Sequence, residues 1–291
     1  MEIINLEQGT QEWLDFRKNH IGASDASIIM GASKWKTTDG RVKTPRLLWA
    51  EKLGLDHLDS DNSATRYGKE MEEPARLVYQ EMVGDLFEPA CVKNKYYPYL
   101  MASLDGLNLT QDHAVEIKNC SAEDHALAKE GKVPAKYYPQ VQMQIMVTDL
   151  LFIDYFSFHK GEAVIVKVER DNKYIAKMEL ALSKFWKCVE TFTEPALTED
   201  DFVEKGDEWL EKAQILYDIK QKKKELALQE KKLEETLKEL SDNRNACCGD
   251  YRYACGTTIG RVDYKAIPEL SNVNLEHFRS PPSSRWTLRK I

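Results

Sequence analysis

The stretch from Ser103 to Lys118 constrains the fold of this chain more than any other. It reads Ser103-Leu104-Asp105-Gly106, and ten residues after Gly106 comes Glu116-Ile117-Lys118. Val115 and Ile117 alternate with Glu116 and Lys118, the period-two pattern of a strand with one apolar face. The intervening Asn108 to His113 carries a turn signal. A hairpin folded about its middle, between Thr110 and Gln111, sets Asp105 opposite Glu116, with Cβ atoms about 4.5–5.5 Å apart. The spacing therefore predicts two antiparallel strands that bring two carboxylates and an ammonium together. Metal-assisted phosphodiester hydrolysis needs such a set. Mg²⁺ takes a few carboxylate oxygens and keeps several waters. Bound metal acidifies a water and neutralises charge on phosphoryl oxygens, and a lysine can orient that water or stabilise developing charge. Each piece also has an ordinary structural use, Asp-Gly as a turn dipeptide and Glu-x-Lys as a solvated strand face.

The bulk properties are compatible with this. At 291 residues, 42% hydrophobic and 31% charged, the chain has the size and composition of one sizeable domain plus an appendage, and it is not a disordered polymer. No apolar run approaches the ~20 residues of a membrane span, and Met1 to Asn5 lacks a signal-peptide pattern, so the expected location is the cytoplasm. Net charge −7 argues against bulk attraction to nucleic acid and leaves binding to a local groove. The segment Asp250 to Ile291 is the exception, with seven basic and four acidic residues. Of six cysteines, Cys247, Cys248 and Cys255 lie close in sequence, in a spacing that matches no standard zinc or iron–sulfur pattern.

Along the chain, Trp13 to Arg17 reads as a short amphipathic helix. Ala26 to Met30 reads as another, with Ser24 as its N-cap. Gly31 to Thr44 reads as a loop, Pro45 to Leu53 as a helix, and Asp56 to Asn62 as a polar connection. Ala64 to Val83 is expected to be helical, with Met71, Ala75, Val78 and Met82 on one face and a kink or start at Pro74. Cys91 to Lys118 is expected to supply two strands and the hairpin. Tyr137 to Ile145 alternates Gln with apolar residues, which reads as a strand, although Pro139 also permits a helix with Gln140 and Gln144 on one face. Leu150 to His159 and Ala163 to Glu169 read as strands joined by Lys160-Gly161-Glu162. Asn172 to Phe192 reads as a helix with Ile175, Met178, Leu182, Phe185 and Val189 inward. The mixture predicts an α/β fold. Beyond, Phe202 to Ser241 carries Ile219, Leu226, Leu233 and Leu240 at heptad spacing, but Lys223, Glu230 and Leu237 hold the alternate seam positions. This thin stripe predicts a long helix folding back on a neighbour, ended at Asn243-Arg244-Asn245. The tail has strand-like pieces at Tyr251 to Cys255, Ile259 to Lys265 and Arg285 to Ile291. Its arginines interleave with Tyr251, Tyr253, Tyr264 and Trp286, a pattern suited to stacking and phosphate contact or to the wet face of a small β-unit.

Taken in order, the motifs resemble the YqaJ-type viral recombinase nucleases, the phage lambda exonuclease family within the PD-(D/E)xK superfamily. The resemblance runs from about residue 11 to residue 192. It rests on Trp13-Leu14-Asp15-Phe16-Arg17 with Ile21-Gly22-Ala23-Ser24, on Gly68-Lys69-Glu70-Met71-Glu72 with Ala75-Arg76, and on Ser103 to Leu107 and Glu116-Ile117-Lys118. Gln140-Val141-Gln142 with Val147-Thr148, and Val168 to Asp171 with Lys173-Tyr174, complete it.

The resemblance implies a restriction-endonuclease-like core, a mixed central sheet flanked by helices, over residues 1–198. A helical extension (199–242) and a small basic β-containing unit (243–291) follow. By the same resemblance, Asp105, Glu116 and the Ile117 carbonyl hold Mg²⁺, with Mn²⁺ as a substitute. Lys118 acts on the attacking water. Glu72, chosen over Glu70 and Glu73 by its spacing from Gly68, sits near the metal. Gln140, or alternatively Gln142, holds the water or the lysine, which favours a helix there. Arg17 and Ser24 grip a terminal 5′-phosphate, a role suited to a helix N-terminus with a hydroxyl and an arginine. Gly22 stands where the lambda enzyme has a threonine, which removes one hydroxyl from that grip, and Leu104 replaces the proline of the superfamily motif. The implied activity is a Mg²⁺-dependent 5′→3′ exonuclease on double-stranded DNA ends for phage-type recombination. It would be phage or prophage encoded, trimeric, and partnered by a single-strand annealing protein. The alternatives are a structure-specific or restriction-type endonuclease on the same core, or a non-catalytic DNA-end-binding module.

Overall fold

A computed structural model describes residues 1–32, 35–56, 63–255 and 267. The chain divides into two compact units, Met1–Phe202 and Val203–Ile291. The first begins β1 (Glu2–Ile4), α1 (Gln11–Lys18), β2 (Ile21–Gly22), α2 (Ala23–Ile29), α3 (Pro45–Lys52), α4 (Ser63–Glu70) and α5 (Glu72–Val83). It continues β3 (Phe87–Lys93), β4 (Leu100–Asn108), β5 (Ala114–Asn119), α6 (Ala122–Lys129), α7 (Tyr138–Thr148), β6 (Phe152–His159), β7 (Glu162–Glu169) and α8 (Asn172–Glu190). The second unit contains α9 (Asp207–Leu240) and a hairpin of β8 (Ala246–Cys248) and β9 (Tyr251–Tyr253).

The sheet of the first unit runs β1-β3-β4-β5-β6-β7, with β2 pairing the start of β4. It is mixed: β5–β6 and β2–β4 are parallel and the other pairs antiparallel. A parallel neighbour requires a crossover, and α6 and α7 supply it between β5 and β6. The α/β reading is thus correct, and the expected pair of strands over residues 91–118 is three.

Strand alternation divides the interior into two cores. Leu100, Ala102 and Leu104 of β4 and Ile153 and Tyr155 of β6 join one, with α2, α7 and α8. Val115 and Ile117 of β5 and Phe156 and Phe158 of β6 join the other, with Ala75 and Tyr79 of α5. Tyr79 anchors α5 further by donating its hydroxyl to Asp154 Oδ2 at 2.8 Å. This replaces the expected Met82, which is exposed. The expected single helix over 64–83 is two helices that break at Met71, with Pro74 in the first turn of α5.

The segment read as strand or helix is α7. Every side chain from Pro139 to Thr148 is buried, so neither periodicity dominates the sequence. In α8, Ile175, Met178, Leu182 and Phe185 face inward as the spacing predicts. Ser24 does not cap α2: Gly22, in extended backbone, holds that position, and its N–H is taken by Asp25 Oδ2 at 3.0 Å.

In the second unit, α9 has no buried residue, and Ile219, Leu226, Leu233 and Leu240 are all exposed, so the expected packing of this stripe on a neighbour is not present among the described residues. Cys247, Cys248 and Cys255 are exposed free thiols, and no group of metal-ligating side chains forms around them among the described residues. The expected strands at 259–265 and 285–291, and the connection at 57–62, lie outside the described residues.

One irregularity shapes everything that follows. Between the pairs Glu88–Leu107 and Ala90–Leu104, β4 advances three residues while β3 advances two. Asp105 and Gly106 therefore share the position opposite Pro89, a β-bulge on β4. Proline has no N–H to give a ladder and is at home there. Gly106 is required by space. A Cβ on it would lie 2.8 Å from Val115 Cγ1 and 2.9 Å from Phe87 Cβ. Asp105-Gly106 is thus a strand bulge and not a turn. Gly106→Ala is expected to lower unfolding free energy by about 1–3 kcal/mol, measured by chemical denaturation. A neutral result would mean that β3 and β5 yield freely at this point.

Candidate active site

The bulge sets the aim of Asp105. Gly106 faces Val115 and Leu107 faces Ala114, so the same register carries Asp105 to Glu116, as the hairpin spacing predicts. Because β4 holds one extra residue, Leu104 and Leu107 belong to the same core although three positions apart, and Asp105 is carried to the α7 side of the sheet. There its Oδ2 accepts the Ile117 N–H at 2.7 Å.

Glu116 is 1% exposed and is the most constrained group of the site. Gln140 Nε2 donates to its Oε1 at 2.5 Å, and Gln144 Nε2 donates to its Oε2. The Lys118 ammonium, two residues along the same strand face, pairs with Oε1 and lies 5.5 Å from the centre of the Tyr137 ring. Gln140 and Gln144 lie one helical turn apart on α7, so one face of that helix grips one carboxylate. Gln142 faces elsewhere: its amide donates to the Glu169 carbonyl at 2.8 Å, and its oxygen accepts the Asp171 N–H at 3.0 Å, tying α7 to the β7–α8 junction. Of the two glutamines weighed for the site, Gln140 is the one brought to it. Gln144 was missed as a partner of Glu116. The signal that could have found it was its place four residues from Gln140.

Glu72, at the first turn of α5, completes the acidic group. Burial pushes the Asp105 carboxyl well above its ordinary range, and the charges of Glu116 and Glu72 push it further against the partial relief of Lys118. Burial raises Glu72 as well, with Glu116 adding to the rise and Lys118, Arg76 and Lys69 opposing it. Burial alone would lower the Lys118 ammonium, but Glu116 and Asp105 outweigh it and hold its proton firmly.

A cleft of about 540 Å³ opens over this group, lined among others by Glu72, Asp105, Ile117 and Lys118. Arg17, Ser24, Lys36, Lys43 and Lys69 line it too, which gives it cationic as well as acidic walls. Arg17 Nη2 donates to Ser24 Oγ at 2.6 Å and to Asp25 Oδ1 at 3.1 Å. Asp25, missed in the sequence, is 2% exposed and pairs with buried Lys52 at 2.8 Å. Burial alone would raise Asp25. Lys52, Arg17 and Lys43 outweigh it and hold its carboxyl far below the ordinary range. Lys52 also donates to the Arg17 carbonyl at 2.9 Å. The pair thus fixes both the backbone and the guanidinium of Arg17.

The donor set fits a hard divalent cation. Three carboxylates gather beside the Lys118 ammonium, and burial, with Glu116 adding to it, raises both Asp105 and Glu72. No preformed cage of three or more ligating side chains exists among the described residues. Mg²⁺ usually binds through one or two carboxylates and keeps several waters.

Residues 12–150 match the YqaJ-like viral recombinase domain. A Bacillus subtilis (strain 168) relative, the uncharacterized protein YqaJ, is 28% identical over 295 residues, covering 91% of this chain and 89% of its own. Among solved structures, the alkaline exonuclease LHK-Exo from Laribacter hongkongensis covers 64% of this chain and 95% of its own, at 22% identity and a TM-score of 0.51. LHK-Exo in complex with dAMP aligns over the same shares at 25% identity and a TM-score of 0.53. This likeness shows the core to have the restriction-endonuclease-like fold that the resemblance implies.

The elevated Asp105 has a direct consequence for stability. An acid that holds its proton more tightly when folded favours the fold at low pH, and that contribution is lost as pH rises from about 4 through the raised value. In EDTA at neutral pH, Asp105→Asn is therefore expected to raise the melting temperature by a few degrees, about 2–4 °C per kcal/mol, and to flatten its pH dependence above pH ~4. A lower melting temperature across that range, by thermal denaturation monitored by circular dichroism, would show that the charge is not a burden.

Proposed function

We propose that the cleft hydrolyses DNA phosphodiester bonds as a divalent-metal-dependent exonuclease. In this reading it works 5′→3′ from double-stranded ends, with Mg²⁺ as the physiological ion and Mn²⁺ as a substitute. The observation that carries the reading is the gathering of Asp105 and Lys118 in one cleft with Arg17 and Ser24, with Lys118 paired to the buried Glu116 beneath. The YqaJ-like domain and the exonuclease fold of its structural neighbours support it.

Asp105, Glu116, the Ile117 carbonyl and Glu72 would hold the ion. When bound, it supplies a more acidic water and neutralises charge on the phosphoryl oxygens. Lys118 keeps its proton, so it acts as a donor that orients the attacking water or steadies the phosphoryl oxygen, not as a base. Gln140 and Gln144 fix the Glu116 carboxylate so that Lys118 cannot drag it aside. Arg17, held by Asp25 and aimed with Ser24, receives the terminal 5′-phosphate. These contacts read phosphate and not bases, so little sequence preference is expected. A homo-oligomer that encloses duplex DNA, and a single-strand annealing protein that takes up the 3′ overhang, complete the proposal.

Linear duplex labelled at either end, beside covalently closed circles, in Mg²⁺ and in EDTA, tests the chemistry. Lys118→Ala and Asp105→Asn are each expected to cut the rate by roughly 10²–10³-fold or more with the fold intact. Full activity in either variant would remove the proposal. Arg17→Ala tests the end-reading. It is expected to slow 5′-phosphorylated ends by roughly 10–100-fold, the worth of a charge-assisted hydrogen bond of about 1.5–3 kcal/mol, while 5′-hydroxyl ends change little. An equal loss on both ends would assign Arg17 to the fold alone.

A further inference from the structure

The helix α9 carries a stripe that no described residue of its own unit covers. Writing its heptads with Leu216, Lys223, Glu230 and Leu237 at a puts Ile219, Leu226, Leu233 and Leu240 at d, and all eight side chains are exposed. The six apolar ones are between 45% and 79% exposed. A stripe of this kind gains stability by docking on another helix. The two charges in the seam decide which helix, and in which direction.

In a parallel pair of identical helices, each a position meets its own copy. Lys223 would face Lys223 and Glu230 would face Glu230, two like-charge layers shut away from water. The flanking positions would pair Lys222 with Ala227 and Gln229 with Glu234, giving no attraction of opposite charges. In an antiparallel pair, a faces d, and the register that overlaps residues 216–240 sets Leu216 on Leu240 and Ile219 on Leu237. The outer layers are then apolar on both sides. Each inner layer sets a leucine against a charged residue, and Lys223 of one helix lies beside Glu230 of the other, twice by symmetry. At the flanking e positions, Lys220 meets Glu234, also twice. Four complementary ion pairs appear in one arrangement and none in the other. Charged seam residues of this sort fix register and direction at some cost in stability.

We propose that α9 is a dimerisation element that pairs antiparallel with α9 of a second copy of this chain, in the register that sets Ile219 against Leu237. The inference does not rest on the nuclease reading. Whatever the first unit does, the pairing joins two copies of it about a twofold axis near residue 228.

Disulfide trapping in the full chain, with Cys247, Cys248 and Cys255 changed to Ser, tests it. Under mild oxidation, Ile219→Cys alone and Leu237→Cys alone are expected to give no covalent dimer. A mixture of the two chains is expected to give a covalent dimer that reduction reverses. Lys223→Glu in both chains is expected to lower the mixed yield roughly fivefold or more, and adding Glu230→Lys to restore it, since the swapped charges again attract. Restoration separates loss of pairing from loss of folding. Cross-linking of either cysteine chain by itself would mean parallel pairing. No cross-link in the mixture would mean that the stripe is covered by its own chain or by a different protein. An unrestored double swap would mean that charge does not set the register. Any of the three overturns the proposal.

Discussion

The structure turns on the carboxylate of Glu116. It is almost fully buried, and both of its oxygens are held: Oε1 by Lys118 of its own strand and Gln140 of α7, and Oε2 by Gln144 of α7. A buried carboxylate needs hydrogen-bonded, paired surroundings of this kind. Gathering further acids beside Glu116 has a cost. Asp105 and Glu72 share the region with it, and burial raises both, with Glu116 adding to the rise and Lys118 relieving it in part. A protein selected only for stability has no use for that cost. The β4 bulge, which brings Asp105 round to face Glu116, adds to it. The repulsion is built in by the backbone, and a cation is the natural relief for it.

A second ionic arrangement serves the opposite purpose. Around Asp25 the carboxylate is fully paired: Lys52 and Arg17 surround it, and it accepts the Gly22 N–H. Lys52 comes from α3, Asp25 from α2 and Arg17 from α1, so this cluster stitches three elements together and fixes the guanidinium at the cleft. Its geometry is that of a support, with the guanidinium still reaching Ser24. One part of the cleft is therefore preorganised and electrically satisfied, and the other is preorganised and electrically frustrated. This difference suits a polyanion gripped at its terminal phosphate and polarised further along.

What could be read in the sequence follows from how local each signal is. The Asp105–Glu116 register was legible because a short hairpin has one natural centre and side chains alternate along strands. The outward order of α8 was legible because one face packs and one does not. The α7 segment was ambiguous because it is buried on all sides, which erases the helical period and leaves a misleading alternation of glutamines. Asp25 and Lys52 could not be paired in advance, since nothing local links residues on two different helices. Ser24 looked like a cap because serine commonly is one, yet the preceding Gly22 takes that place while the Asp25 side chain satisfies its N–H. Asp105-Gly106 was read in a strand with a turn as its ordinary alternative, and only the closeness of Phe87 and Val115 shows why glycine stands there. The β1 strand had no strong local signature, being three residues long and paired with β3 far along the chain, whereas α6 carries one that was not read: a Ser121 N-cap with Glu123 and Asp124 in its first turn and Lys129 in its last.

The central claim is that the acidic group formed by Glu72, Asp105 and Glu116 is a divalent-cation site. Titration of Mn²⁺ into the DNA-free chain, followed by the electron paramagnetic resonance signal of the free ion, tests it most directly. The account predicts saturable loss of the free-ion signal with the unaltered chain, and little loss with a chain carrying Asp105→Asn together with Glu116→Gln. Equal uptake by both chains, or no uptake by the unaltered one, would contradict it.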